Sequence, residues 1–220
     1  MQQDHTENPE APAPEVQIMF PDSMQPHIEK VLAGEYDLPY EFTAESRSRT
    51  ILDIGANVGA FAAWAHLRWP GSTIHCYEPL GTNFSLLREN LSALNKVVLV
   101  NKAVGNPENR RLFLGRNNCG ENSFFDLGEQ LAEFEEVETL HPAELPPAAI
   151  LKIDTEGSEW DILSRLPRID YDVILLEYHD EGIRRQIDAL LSNYSLVGGM
   201  ARCLHRGTVK YLHNRLLRAP

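Results

Sequence analysis

The residues able to do chemistry in this chain gather at a few short stretches. The first is ILDIGANVG, residues 51–59, where Gly55 and Gly59 stand four apart behind Asp53. A turn that holds a pyrophosphate uses three glycines, so that bare backbone meets the phosphates. Here Asn57 occupies a glycine's place, while Gly55 still permits close backbone approach. Asp53 adds negative charge, which suits a ligand carrying an ammonium group better than a pyrophosphate.

The second stretch is Tyr77-Glu78-Pro79. Glu78 lies roughly 20 residues past the glycine turn, where an acid accepts both ribose hydroxyls of an adenosine. Pro79 stiffens the exit from the strand. Turn and acid together imply an adenosine ligand. The missing glycine favours S-adenosylmethionine (SAM), which has a cationic amino-acid tail and no phosphate, over NAD. Asn101 and Ala103 follow a third strand, where Ala103 is small enough to wall the adenine.

Two further stretches carry titratable groups. LKIDTEGSE, residues 151–159, places Asp154 at a strand tip facing the cleft, with Glu156 and Glu159 behind it. Carboxylates are favoured at helix starts in any case, and Glu159 is assigned that structural role. LLEYH, residues 175–179, puts Glu177 and His179 on one side of an extended segment. His179 is the histidine at a ligand-side strand end. It could take a proton from an acceptor hydroxyl, with Glu177 or Asp180 fixing its tautomer. Asp154, Glu177 and His179 are therefore the catalytic candidates. The same three are compatible with a divalent metal, but their spacing demands none, and no metal is assigned. His66, His75, His141, His205 and His213 are assigned to structure or surface.

These stretches need a frame that brings strand ends together. From residue 50, apolar strands alternate with helices: 50–54, 72–77, 97–100, 149–153 and 173–177, with helices over 60–69, 82–94, 158–165 and 183–191. Two extra strands, 111–114 and 135–140, pair with each other across a loop. The chain closes on two strands, 196–204 and 208–216, joined tightly at His205-Arg206-Gly207. The alternation implies an α/β fold with a mostly parallel sheet, helices on both faces and an antiparallel end. Ligands in such sheets sit beyond the carboxyl ends of the strands. A short amphipathic helix is expected over 22–35, with Ile28, Val31 and Leu32 on one side.

Composition narrows the function. With 220 residues, 43 % of them apolar, the chain can build one sizeable core. Its net charge of −12 argues against nucleic-acid partners. No apolar run approaches the roughly 20 residues of a membrane span. Residues 1–17 are acidic and Pro-rich, expected as a disordered tail without a secretion signal, ahead of a single domain over 18–220. Cys76, Cys119 and Cys203 lie far apart with no CxxC. This fits a reduced, cytoplasmic setting without structural zinc, with Cys76 and Cys203 buried in packing.

Taken together, ILDIGANVG, YEP (77–79), NKAVG (101–105), ENSF (121–124), LKIDTEGSEWDIL (151–163) and LLEYH resemble the FkbM family of SAM-dependent methyltransferases, over roughly residues 35–216. The resemblance implies a Rossmann-like class I methyltransferase: seven strands, with the last one reversed. It implies that Asp53, Gly55, Asn57 and Gly59 line the methionine part of SAM and that Glu78 holds the ribose. It further implies methyl transfer to oxygen, often on sugars or polyketide-type natural products. Where family members carry an acidic Leu-Asp-Asp-type segment before the fourth strand, this chain reads Thr139-Leu140-His141-Pro142-Ala143-Glu144. The long connection 106–148, with Asn118, Asn122, Ser123 and Phe124, is expected to cover the cleft and select the acceptor. Two other readings stay open: an NAD-linked oxidoreductase, and a SAM-binding module without catalysis.

Overall fold

The structure is a computed structural model that describes residues 18–38, 49–114, 133–203 and 205–217. The expected tail over 1–17 lies outside the described residues, as do Cys119 and the cleft-cover residues Asn118, Asn122, Ser123 and Phe124.

A 3-10 turn at Asp22–Met24 leads into helix α1 (Gln25–Leu32). Strand β1 (Thr50–Ile54) then opens the alternation, followed by α2 (Ala60–Arg68), β2 (Thr73–Tyr77), α3 (Gly81–Asn90) and β3 (Val97–Val100). Four short strands come next: β4 (Ala103–Val104), β5 (Arg111–Phe113), β6 (Phe134–Glu136) and β7 (Thr139–Leu140). The chain continues through β8 (Ile150–Ile153), α4 (Glu159–Ser164), β9 (Val173–Tyr178), α5 (Glu181–Leu190), β10 (Tyr194–Cys203) and β11 (Arg206–His213).

Seven strands form the main sheet in the order β10-β11-β9-β8-β1-β2-β3. β8, β1, β2 and β3 run parallel with β9, whereas β11 is antiparallel to both β9 and β10. The last strand is thus reversed, as the tight 205–207 link requires. Every residue of β8 and β9 is buried, the pattern of central strands covered on both faces.

Alternation along the strands sorts the core into two layers. Ile51, Ile74, Ile150 and Leu175 pack with Phe61, Trp64 and Leu87 of α2 and α3. Leu52, Ile54, Leu151, Ile153 and Leu176 pack with Ile162, Leu163 and Ile187 of α4 and α5. Asp53 and Lys152 sit between apolar neighbours on adjacent strands, in register with each other, and so meet inside the first layer.

Four expectations need comment. The 135–140 strand is two strands: β6 pairs with β5, while β7 pairs parallel with β4, because Val137 turns inward between them. The first helix is shorter than expected; Ile28 is buried on it, but Leu32 is exposed. Cys76 is buried as expected, whereas Cys203 is exposed at the end of β10, an edge strand. Among the described residues no helix is long and apolar enough to cross a membrane.

Candidate functional site

A cleft opens at the carboxyl ends of β1, β2, β8 and β9. Its floor is Gly55, Ala56 and Asn57 after β1, then Glu78 and Pro79 after β2, with Ala103 beyond. Asp154, Thr155 and Glu156 after β8, Glu177 of β9 and Arg206 of β11 form its far wall. His27, Ile28 and Val31 of α1, together with Tyr36, form a roof that no sequence pattern announces.

The β1–β2 half is made by backbone. Gly55 has φ +77°, and a Cβ there would lie 1.8 Å from the carbonyl oxygen of Asp154, so the position excludes a side chain. The N–H groups of Gly55 and Ala56 both donate to the Tyr77 carbonyl at 3.0 Å, tying the turn to the end of β2. Glu78 closes it: Oε2 accepts from the Asn57 N–H at 2.9 Å and Oε1 from the Leu80 N–H at 3.0 Å. Burial pushes the Glu78 carboxyl up to about 7, against the pull of these two N–H donors. Asn57 Oδ1, Asn83 Oδ1 and Thr155 Oγ1 are buried atoms without a hydrogen-bond partner among the described residues, on residues that all line the cleft. Buried polar atoms are nearly always satisfied, so three orphans around one cleft suit a ligand rich in donors. SAM, with its ammonium, amine and ribose hydroxyls, fits this donor set.

Three expected cofactor contacts do not reach the cleft lining. Asp53 is fully buried beneath the turn, its Oδ1 3.0 Å from Lys152 Nζ, because neutralising a buried lysine takes a buried carboxylate. Lys152 also donates to the Gly55 carbonyl at 2.7 Å, so the pair braces the turn from below. Gly59, at φ +97°, starts α2 and faces Leu87 of α3 and Leu91 just after it; its role is packing. Asn101 donates its side-chain amide to the carbonyls of Glu78 and Pro79, at 2.8 and 3.0 Å. The others, Gly55, Asn57, Glu78, Pro79 and Ala103, line the cleft together.

The β8–β9 half is made by charges. His179 lies between two carboxylates, with Nε2 2.9 Å from Glu156 and Nδ1 2.9 Å from Glu159. Burial alone would lower its pKa, but the hydrogen bonds to Glu156 and Glu159 win and raise it to about 10. The two carboxylates thus favour the protonated imidazole, which works against the role of base expected of His179. Glu159 begins α4 as expected, yet it is buried and gripped by His179 rather than solvated.

The expected orienting groups are also engaged elsewhere. Glu177 Oε1 is 3.9 Å from His179 but accepts from Arg202 Nη1 at 2.9 Å and Arg206 Nε at 2.8 Å. Asp180 caps α5, accepting from the Ile183 N–H at 2.8 Å. Arg206 reaches Glu156 as well, at 2.7 Å, and Arg202 reaches Glu35. Both arginines flank the tight turn between β10 and β11, and nothing in their local sequence marks them as site residues.

Asp154 stands where these two halves meet. Its Oδ2 is 3.8 Å from Lys152 Nζ and 3.4 Å from the Tyr36 hydroxyl. Burial works to raise its pKa, but Lys152, His179, Arg206 and Arg202 outweigh burial and hold it below the ordinary carboxylate range. It is an anion inside a cleft wall. Asp154, Glu156 and His179 each offer a donor atom within 4.8 Å of the others, a set a divalent cation would draw on only with His179 deprotonated. Glu156 takes the place that the sequence suggested for Glu177.

A family model described as the Methyltransferase FkbM domain matches residues 53–198. A stretch of 40 residues, 18 % of this chain, is 48 % identical to the 31-O-demethyl-FK506 methyltransferase FkbM of Streptomyces tacrolimicus, and it spans 15 % of that relative's length. The fold is similar to that of the fibrillarin pre-rRNA processing protein of Methanococcus jannaschii, with TM-score 0.50 and 8 % identity over 76 % of this chain and 67 % of that one. The precorrin-6y C5,15-methyltransferase of Geobacter metallireducens is similar at TM-score 0.48 and 14 % identity, over 86 % of this chain and 89 % of that one. At 8 % identity the fibrillarin likeness speaks to the fold alone. The family match runs from the glycine turn through the LKIDTEGSE stretch into β10, and this chain belongs to the FkbM family of SAM-dependent methyltransferases.

Proposed function

We propose that this chain methylates a hydroxyl oxygen of a small-molecule acceptor, of sugar or natural-product type, with SAM as donor. The observation that carries the reading is Asp154: an ionised carboxylate in the wall of the same cleft that Glu78 and the glycine turn line. SAM supplies a methyl already made electrophilic by its sulfonium. Gly55, Ala56 and Asn57 would hold its amino-acid end and Glu78 its ribose hydroxyls, with Pro79 and Ala103 toward the adenine.

The protein's remaining work is to align an acceptor and move one proton. Orientation alone lowers such a barrier by roughly 7–11 kcal/mol. Asp154 would accept the acceptor's hydroxyl proton during methyl transfer. His179 is paired with two carboxylates, and Glu177, though burial and the charge of Asp154 push its carboxyl up to about 7, has its Oε1 bonded by two guanidiniums. The net charge of −12 disfavours a polyanionic acceptor such as nucleic acid. The Streptomyces relative's name refers to an oxygen position, which supports an oxygen acceptor here.

The test is incubation with methyl-labelled SAM and small-molecule extracts of the source organism, followed by identification of the labelled product. Asp154→Asn is expected to lower labelling by roughly 10²–10⁴-fold while leaving SAM affinity nearly intact by calorimetry. Unchanged labelling removes Asp154 from the chemistry. Binding of NAD in place of SAM supports the oxidoreductase reading, and SAM binding without any labelled product supports a module without catalysis.

A further inference from the structure

Tyr36 lies outside the stretch matched by the family model, and nothing in the sequence marks it. Its ring is buried, 1 % exposed, packed edge-on against Phe61 with centroids 5.1 Å apart and tilted against Trp64 at 6.3 Å. From this aromatic wall the hydroxyl reaches the cleft, 3.4 Å from Asp154 Oδ2. The preceding residue is fastened to the opposite wall: Glu35 accepts from Thr208 Oγ1 at 3.0 Å and is paired with Arg202. Two consecutive side chains therefore bridge the cleft, one to the α2 layer and one to the closing β10–β11 pair. Such an anchorage holds the phenol in place with little freedom to swing.

We propose that Tyr36 is a positioning residue whose hydroxyl donates to Asp154 Oδ2 and fixes the carboxylate, leaving Oδ1 to the acceptor. The inference rests on the reading of Asp154 as the proton acceptor. Burial, and then the charge of Asp154, push the Tyr36 phenol well above its ordinary range, so it remains a donor at neutral pH. Lys152 attracts the same Oδ2 at 3.8 Å, but a lysine is a point charge and sets no carboxylate plane. A hydroxyl at a fixed angle does. The 3.4 Å separation is long for such a bond, as is common before substrates close a site.

The decisive comparison is Tyr36→Phe, which keeps the ring and its packing and removes one oxygen. The full chain is labelled with carbon-13 at aspartate carboxyls, and the Asp154 signal is identified by its loss in Asp154→Asn. At pH 7 the signal is expected to shift in Tyr36→Phe, with melting temperature close to that of the parent. Methyl transfer from labelled SAM to the extract is expected to fall roughly 10-fold in turnover, with KM for SAM unchanged. An Asp154 signal at its parental position, or turnover at the parental level, overturns the proposal. The resonance measurement needs neither SAM nor acceptor. It can therefore fail while the parent still labels its acceptor, and the parent can fail to label while the resonance still shifts.

Discussion

The two halves of the cleft solve different problems with different materials. Around β1 and β2 the protein presents backbone: a glycine turn and N–H groups fixed by Glu78, with Asn57 Oδ1 and Asn83 Oδ1 unpartnered among the described residues. Around β8, β9 and β11 it presents side chains that satisfy one another: Glu156, Glu159, Glu177, His179, Arg202 and Arg206 form a connected set of ion pairs. The first half is left with bonds to give. The second is largely bonded within itself, and Asp154 stands at its boundary. A cofactor used by a whole family can be met by backbone, which few substitutions alter. An acceptor particular to one protein is met by side chains, which must be held rigid by neighbours.

The halves share one support, and breaking it gives the largest expected effect. Lys152 braces the turn through Asp53 and the Gly55 carbonyl, and it also faces Asp154. Lys152→Met keeps the bulk and strands Asp53 as an uncompensated buried charge. Removing one partner of such a pair costs about 3–5 kcal/mol. Urea unfolding is expected to show that loss as a lower midpoint with an unchanged slope. A loss under about 1 kcal/mol would mean that the turn stands without its brace, and the two halves would then be mechanically independent.

Glu78 tests the backbone half by itself. Glu78→Ala removes a buried acceptor from the cleft lining, at the place proposed for the ribose. A hydrogen bond to a charged group is worth roughly 1.5–3 kcal/mol, so SAM affinity is expected to fall about 10–100-fold by calorimetry. The pH dependence sharpens the point. The parent carboxyl titrates at about 7, above its ordinary 4.5, so it gains a proton and loses acceptor strength as pH falls through 7. SAM binding by the parent should weaken in that direction, and the variant should be flat there. Equal affinity in both proteins would transfer the cofactor contact elsewhere in the cleft.

The same contrast explains what the sequence could reveal. The main strands and helices are legible because their apolar periods are local, and β1 and β3 fall where expected. Gly55, Asn57 and Glu78 are legible because a tight strand-to-helix turn constrains neighbouring residues, and spacing survives in a one-dimensional string. Gly59 and Asp53 share that turn but serve packing and a buried pair; spacing cannot separate a residue facing the ligand from one bracing the residue that does. The charged half is hardest. Arg202 and Arg206 meet Glu35, Glu177 and Glu156 only because β11 inserts next to β9, and no local pattern reports that. The strand-end position of His179 is readable from periodicity, but its protonation depends on Glu156 and Glu159 folding back onto it.

That protonation yields the last test. The folded His179 titrates at about 10 against an ordinary 6.5, so the folded state binds its proton more tightly than the unfolded chain does. Below 6.5 both states are protonated and the ion pairs contribute in full. Between 6.5 and 10 the unfolded chain releases the proton and the folded one keeps it, so stability falls as pH rises. The slope of that fall reaches about 1.4 kcal/mol per pH unit for one proton. His179→Gln keeps hydrogen-bonding capacity toward the two carboxylates and removes the titration. Unfolding free energies of parent and variant, measured from about pH 6 to 10, should therefore converge as pH rises. Parallel curves would show that His179 is neutral in the folded protein, and its candidacy as a base would reopen beside that of Asp154.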